Sequence, residues 1–206
     1  MPKTIYETMP ETMPEKKLLA ILGSPHPHGI TAGMLQCALA AAREHGWRVE
    51  QINLYEKQLA FCTGCRACMG AERCVLKDDI QEITDQIKAC DMVVLAAPVY
   101  WANVPAIVKN LFDRLLGAAM EETKTFPVPR LAGKQYILLT ACNTPFPFSA
   151  LFGQSGGTIR AVREFFKTAG VKCAGNFVCA GAEGKTEVPE RLKKKIWHCF
   201  ESGRKV

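Results

Sequence analysis

Two stretches of this chain are apolar at every consecutive position, Leu18-Leu19-Ala20-Ile21-Leu22 and Met92-Val93-Val94-Leu95-Ala96-Ala97. A surface helix or a half-solvated strand would show a period there; an unbroken run of strand length reads as a strand buried on both faces. Such strands lie parallel, and parallel neighbours must be joined by a crossover, usually a helix. The intervening sequence supplies the helices. After Lys17–Leu22, residues Met34, Leu35, Ala38, Leu39 and Ala42 fall at helical spacing and Gly46 stops them. Arg48–Leu54 alternates as a second strand. Ile80, Ile83 and Ile87 mark a helix with Asp78 and Asp79 as N-cap candidates. Following the third strand, Val104, Ile107, Val108, Leu111, Phe112, Leu115 and Leu116 form a wide apolar stripe; Asn103 can cap that helix and Pro105 suits its first turn. Gln135–Ala141 is a fourth strand, and CNTPFPF, Cys142 to Phe148, a long loop. Ser155-Gly156-Gly157 opens a helix carrying Ile159, Val162, Phe165, Phe166 and Ala169. Val171–Cys179 is a fifth strand; Val188, Leu192, Ile196, Cys199 and Phe200 mark a last helix. Five alternations predict an α/β three-layer sandwich: a five-stranded parallel sheet in the order 2-1-3-4-5, with helices on both faces.

With 206 residues the chain suits one domain, residues 17–206, preceded by a flexible tail over residues 1–16, where ETMP occurs twice. No apolar run approaches the length of a membrane span, and the polar, Pro-broken start lacks a signal peptide's core. Ten cysteines in that setting point to a reducing, cytoplasmic location and away from a disulfide framework. The net charge of +6 is spread out, apart from Lys193-Lys194-Lys195, which reads as a solvated helix face; nucleic acid is not an expected partner.

In sheets of this order ligands bind beyond the carboxyl ends of the strands, where the order reverses. Three loops there stand out. Gly23–Thr31 (GSPHPHGIT) opens a helix and so presents free backbone N–H groups and a positive dipole end; with the Ser24 and Thr31 hydroxyls and His26 it suits one phosphate, although an ordinary turn has the same outline. Pro98-Val99-Tyr100-Trp101-Ala102-Asn103-Val104 places two adjacent aromatics after a buried strand, able to wall a planar ring or to serve as packing or a subunit contact. The third, Thr140 to Gly157, contains Thr140, Asn143 and three phenylalanines, Phe146, Phe148 and Phe152, and is long enough to fold over a ligand.

The fourth feature is CTGCRACMGAERC. Cys62, Cys65, Cys68 and Cys74 have a C-x2-C-x2-C-x5-C spacing, and Gly64 and Gly70 allow tight turns. Short loops of thiolates hold iron–sulfur clusters or zinc, and the same loop can carry plain reduced thiols.

Taken in order, GSPHPHGIT, CTGCRACMGAERCVLKDDI and DMVVLAAPVYWANVPAIVKNLFDR resemble the NADPH-dependent FMN reductase-like families of the flavodoxin-like fold, and more closely the iron–sulfur flavoproteins of anaerobic bacteria and archaea. The likeness is strong from Lys17 to Arg114 and loose beyond. It implies that Gly23, Ser24, His26, Gly29, Thr31 and Ala32 surround the FMN phosphate, that Pro98 to Val104 bind the isoalloxazine ring, and that Thr140 and Asn143 line its other side. It also implies that Cys62, Cys65, Cys68 and Cys74 hold a 4Fe-4S cluster. Relatives usually carry Arg or Lys near His26 and a small polar residue near Ile30; their absence here implies weaker phosphate binding, or binding that depends on pH through His26.

The expected function is an FMN-binding oxidoreductase that uses NAD(P)H and passes electrons through the flavin and a cluster. Flavin and nicotinamide nucleotides, and a redox protein such as ferredoxin, are the expected partners, in a homodimer or homotetramer. The rivals are an NAD(P)H:FMN or quinone reductase with idle cysteines, a non-enzymatic electron carrier, and a zinc-stapled interaction protein. No catalytic acid, base or nucleophile stands out in the sequence.

Overall fold

A computed structural model describes residues 15–202, so the expected tail lies, up to residue 14, outside the described residues. The chain runs β1 (Lys17–Leu22), α1 (Ile30–Glu44), β2 (Arg48–Asn53), a 3-10 turn (Leu54–Glu56), α2 (Cys68–Ala71), α3 (Ile80–Ala89) and β3 (Met92–Ala96). It continues through α4 (Ala106–Arg114), α5 (Leu116–Ala119), β4 (Met120–Glu121), β5 (Val128–Pro129), β6 (Gln135–Cys142), α6 (Phe148–Leu151), α7 (Gln154–Thr168), β7 (Lys172–Ala180) and α8 (Glu190–Ser202). The main sheet is β2-β1-β3-β6-β7, parallel throughout, which is the expected 2-1-3-4-5 order.

The lack of period in the apolar runs has a direct structural cause. Leu19 and Ile21 of β1, with Val93 and Leu95 of β3, enter one core with α3, α4 and α7. Leu18, Ala20 and Leu22, with Met92, Val94 and Ala96, enter the other, under α1 and α8. Both faces are covered, so every residue of the strand centre is apolar.

Several local readings change. Asn103 does not cap α4: its side chain accepts from the Val104 N–H at 2.8 Å, outside the helix, and Pro105 stands at the cap position with no side-chain bond. The expected loop Cys142–Phe148 is shorter, because β6 extends to Cys142 and α6 begins at Phe148. Proline forbids a helix interior but not its approach, and Pro147 precedes α6. The short α5 and the antiparallel β4–β5 ribbon have no periodic signature in sequence, being four and two residues long.

Candidate functional site

At the carboxyl ends of β1, β3 and β6 the backbone is stitched across the sheet edge. Gly23 N donates to Ala96 O (2.8 Å), Ala97 N to Leu139 O (3.0 Å) and Val99 N to Ala141 O (2.8 Å). Above these bonds opens a cleft of about 550 Å³, within the range usual for small-ligand sites. One wall is the start of α1. Gly29, extended at φ −78° and ψ 173°, precedes the helix, so the N–H groups of Ile30, Thr31 and Ala32 have no acceptor within it; no acidic residue occupies its first turn. Ser24 and Thr31 are each only 4% exposed. The Ser24 Oγ accepts from His26 N (3.2 Å), whereas the Thr31 hydroxyl has no partner among the described residues. It faces the cleft with its hydrogen-bonding capacity unspent.

The second wall is a two-residue turn. Tyr100 N donates to Asn103 O (2.8 Å) and Asn103 N returns a bond to Tyr100 O (2.9 Å). The two residues between, Trp101 (φ 51°) and Ala102 (φ 58°), are both left-handed without being glycine. That conformation costs about 1–2 kcal/mol per residue and is characteristic of functional loops. The Trp101 and Ala102 N–H groups have no acceptor among the described residues. A glycine holds the turn from behind: a Cβ on Gly157 of α7 would lie 1.9 Å from the Ala102 carbonyl oxygen.

Of the expected binding residues, Ser24, His26, Gly29, Thr31, Pro98, Val99, Tyr100, Trp101, Ala102 and Asn143 line the cleft. Gly23, Ala32, Asn103, Val104 and Thr140 do not. Gly23 is packed beneath the loop, where a Cβ would meet Val108 of α4. Thr140 is fully buried, and alternation along β6 turns it away from the lining residue Ala141, toward the core under α7. The cleft is also lined by Ile30, Ala141, Cys142, Thr144 and Gln154, which lie within the expected ligand loops without having been singled out, and by Ala182 and Lys185, which lie outside those loops. For Lys185 a signal existed: Gly181 to Gly184 after the fifth strand is a glycine-bearing strand–helix connection of the same kind as the first loop. Cys142 is buried, and burial pushes its thiol up.

The cysteine segment packs on α4 and α5. Arg114, 2% exposed, closes α4 and reaches into it. Its Nη1 and Nη2 grip Asp78 at 2.8 and 2.9 Å, Nη1 also bonds the Ala60 carbonyl, and Nε donates to the Cys74 Sγ at 3.1 Å. Asn110, one turn earlier, donates to the Ala60 carbonyl (3.2 Å) and accepts from Cys62 N (3.3 Å). Gln81 of α3 donates to the Cys74 carbonyl (2.6 Å). Gly117 lets the chain come close, since a Cβ there would lie 2.2 Å from the Cys68 carbonyl oxygen. Between these anchors Gly64, Arg66 and Glu72 all have positive φ, and Cys62 and Cys65 are exposed. The Cys65 thiol is held below its ordinary value, first by a backbone hydrogen bond at Ala67 and then by the Thr63 side chain. Cys62 and Gly64 share a second groove of about 570 Å³ with Asn103, the residue that ends the strained turn. In this arrangement, among the described residues, no three His, Cys, Asp or Glu side chains gather into a group able to hold a metal ion.

The sheet order and the cleft at its switch point define an open α/β protein of the flavodoxin-like class. A family model described as a flavodoxin-like fold matches residues 16–198, and the chain belongs to that family. An iron-sulfur flavoprotein of Archaeoglobus fulgidus is 39% identical over 100 residues, 48% of this chain and 46% of its own length. One from Methanosarcina thermophila is 37% identical over 98 residues, 48% and 51% respectively. The chain thus spans about half the length of the curated relatives it matches, and these relatives carry the name of the family that the motifs resemble. Among solved structures, an FMN-dependent NADH-azoreductase from Bacillus anthracis in complex with FMN aligns with a TM-score of 0.70 at 16% identity, over 92% of this chain and 98% of the other. At that identity the likeness speaks to the fold alone.

Two measurements follow from this geometry. Gly157→Ala should lower unfolding stability by about 1–3 kcal/mol in denaturant, because a backbone carbonyl blocks the added methyl. Gly156→Ala, with no atom within 4 Å of the new Cβ, should be neutral or stabilising by up to about 1 kcal/mol.

Arg114→Met should cost about 1–3 kcal/mol, because it removes a buried guanidinium's hydrogen bonds and leaves the partly buried Asp78 without its cation. Burial alone would push the Asp78 carboxyl up; the Arg114 bonds, with the Ala60 and Ile80 N–H groups, outweigh it and hold Asp78 below its ordinary 3.8. Its contribution is therefore full above that value and is lost as pH falls through the depressed native one. The acid limb of a stability–pH curve should flatten in the Arg114→Met protein.

Proposed function

We propose that this protein is an FMN-binding oxidoreductase that takes reducing equivalents from NAD(P)H. The observation that carries the reading is the cleft at the switch point, with an unpartnered, nearly buried Thr31 hydroxyl at a helix N-terminus on one wall and a strained aromatic turn on the other. These residues fit a flavin mononucleotide. The α1 amides with the Ser24 and Thr31 hydroxyls would hold its phosphate, and the 100–103 turn would flank the ring and offer the Trp101 and Ala102 N–H groups to its polar edge. When bound, FMN accepts two electrons as hydride and can release them singly. The contribution of the chain is to orient the ring and to close water off from one side. Names among the relatives support the class: an FMN-dependent NADH:quinone oxidoreductase of Pseudomonas putida is 40% identical over 62 residues, 29% of this chain and 31% of its own length.

The four loop thiols stay a proposed ligand set for a 4Fe-4S cluster, on donor chemistry and on the relatives' names. Among the described residues these thiols do not gather on one centre. We also propose a homo-oligomer, a dimer or tetramer, because Trp101, Phe146, Phe148, Leu151 and Phe152 leave an exposed apolar rim. A ferredoxin-like redox partner is proposed on the resemblance alone.

Flavin released by denaturation should be FMN, with FAD no more than a trace; predominant FAD, or no flavin uptake at all, would sink the reading. Ser24→Ala and Thr31→Ala should each weaken FMN binding by about 1.5–3 kcal/mol, the cost of a hydrogen bond to a charged group. Oxidation of NADH or NADPH separates an enzyme from a carrier. Iron and sulfide analysis after anaerobic reconstitution separates a cluster from zinc or free thiols. Light scattering at micromolar concentration should give a dimer or tetramer; a monomer would remove the oligomer proposal.

A further inference from the structure

The loop between β7 and α8 also reaches the cleft, through Ala182 and Lys185. Its first residues are tied to the end of β6: Gly181 N donates to Thr144 O (3.0 Å) and Ala182 N to Cys142 O (2.9 Å). Its far end is pressed onto the start of α1, where a Cβ on Gly33 would lie 3.1 Å from Val188 Cγ2. Lys185 therefore hangs between the β6 end and the first turn of α1, and it lines the cleft.

The charge inventory of the cleft gives that position its meaning. Among the lining residues Lys185 is the one with a permanent charge at neutral pH, and no carboxylate lines the cleft. Lys185 forms no ion pair among the described residues; its Nζ donates to the Gly181 carbonyl, a neutral acceptor. An ammonium group has three donors, so two remain to spend. The β1–α1 loop, GSPHPHGIT, contains neither Lys nor Arg. A phosphate monoester carries about −1.5 to −2 charges near neutral pH, and helix amides with two hydroxyls supply no full positive charge against it.

We propose that Lys185 is the cation that binds the phosphate of the mononucleotide, supplying the full positive charge that the β1–α1 loop lacks. This rests on the reading that the cleft binds FMN. It replaces the expectation of weakened or His26-dependent phosphate binding with a fixed charge supplied from the opposite end of the sequence.

The test compares FMN with riboflavin, which has the same ring and no phosphate, by fluorescence titration of the flavin-stripped full chain. Wild type should bind FMN more tightly than riboflavin. Lys185→Gln should lose about tenfold or more in FMN affinity, with riboflavin affinity unchanged and a shallower dependence of FMN binding on salt. Lys185→Arg should keep most of the FMN affinity. An equal loss for both flavins would mean that Lys185 acts on the ring or on the fold, and unchanged FMN affinity would mean that it does not meet the phosphate; either overturns the proposal. If wild type binds neither flavin, the cleft reading itself fails, a result distinct from an intact FMN site indifferent to Lys185.

Discussion

In the central strands of a parallel sheet covered on both faces, hydrogen-bonding groups can go unmet only at the strand ends. In this protein β1, β3 and β6 are apolar at nearly every position, and their ladders satisfy one another. Everything polar that a ligand can use is thereby displaced to the carboxyl edge, where each strand must hand over to a helix. The free amides of α1, the Trp101–Ala102 turn and the β7–α8 loop are three consequences of that single constraint. The strain of the turn is tolerated because the sheet edge holds it from one side through Val99 and α7 holds it from the other through Gly157.

The fold was legible because burial on two faces erases sequence period, and few other structures do that. Ser24, Thr31 and the 98–102 segment were legible because they directly follow such runs. What escaped depended on contacts between distant segments. Thr140 looks like a loop-edge polar residue until strand alternation assigns it to the core face. Asn103 looks like a helix cap, yet the left-handed turn before it aims its side chain at its own neighbour. Lys185 lies more than 150 residues from the loop it complements, so no local pattern ties the two. The cysteine spacing showed which donors are available but not where they sit, since Arg114, Asn110 and Gln81 fix only parts of the segment.

Helix α4 joins the two regions of interest. It begins just after the strained turn and ends at Arg114 beneath the cysteines, a span of nine residues or roughly 13 Å of helix. Asn103 at one end shares a groove with Cys62 and Gly64. A rigid element that touches both regions sets their separation without a hinge, so a movement of the cysteine segment along α4 would be felt where the turn meets the helix.

Arg114 also bears on how this architecture can be taken apart. A guanidinium with no exposed surface is permanently charged, and its partners, Asp78, the Ala60 carbonyl and Cys74, all come from the one excursion between β2 and α3. Trimming that excursion to a short turn, as in a simpler sheet-and-helix design, would strand a cation inside the protein. Grafting it onto another scaffold would bring in an acid with nothing to neutralise it. Helix and excursion therefore form a single module, to be exchanged between proteins together or not at all.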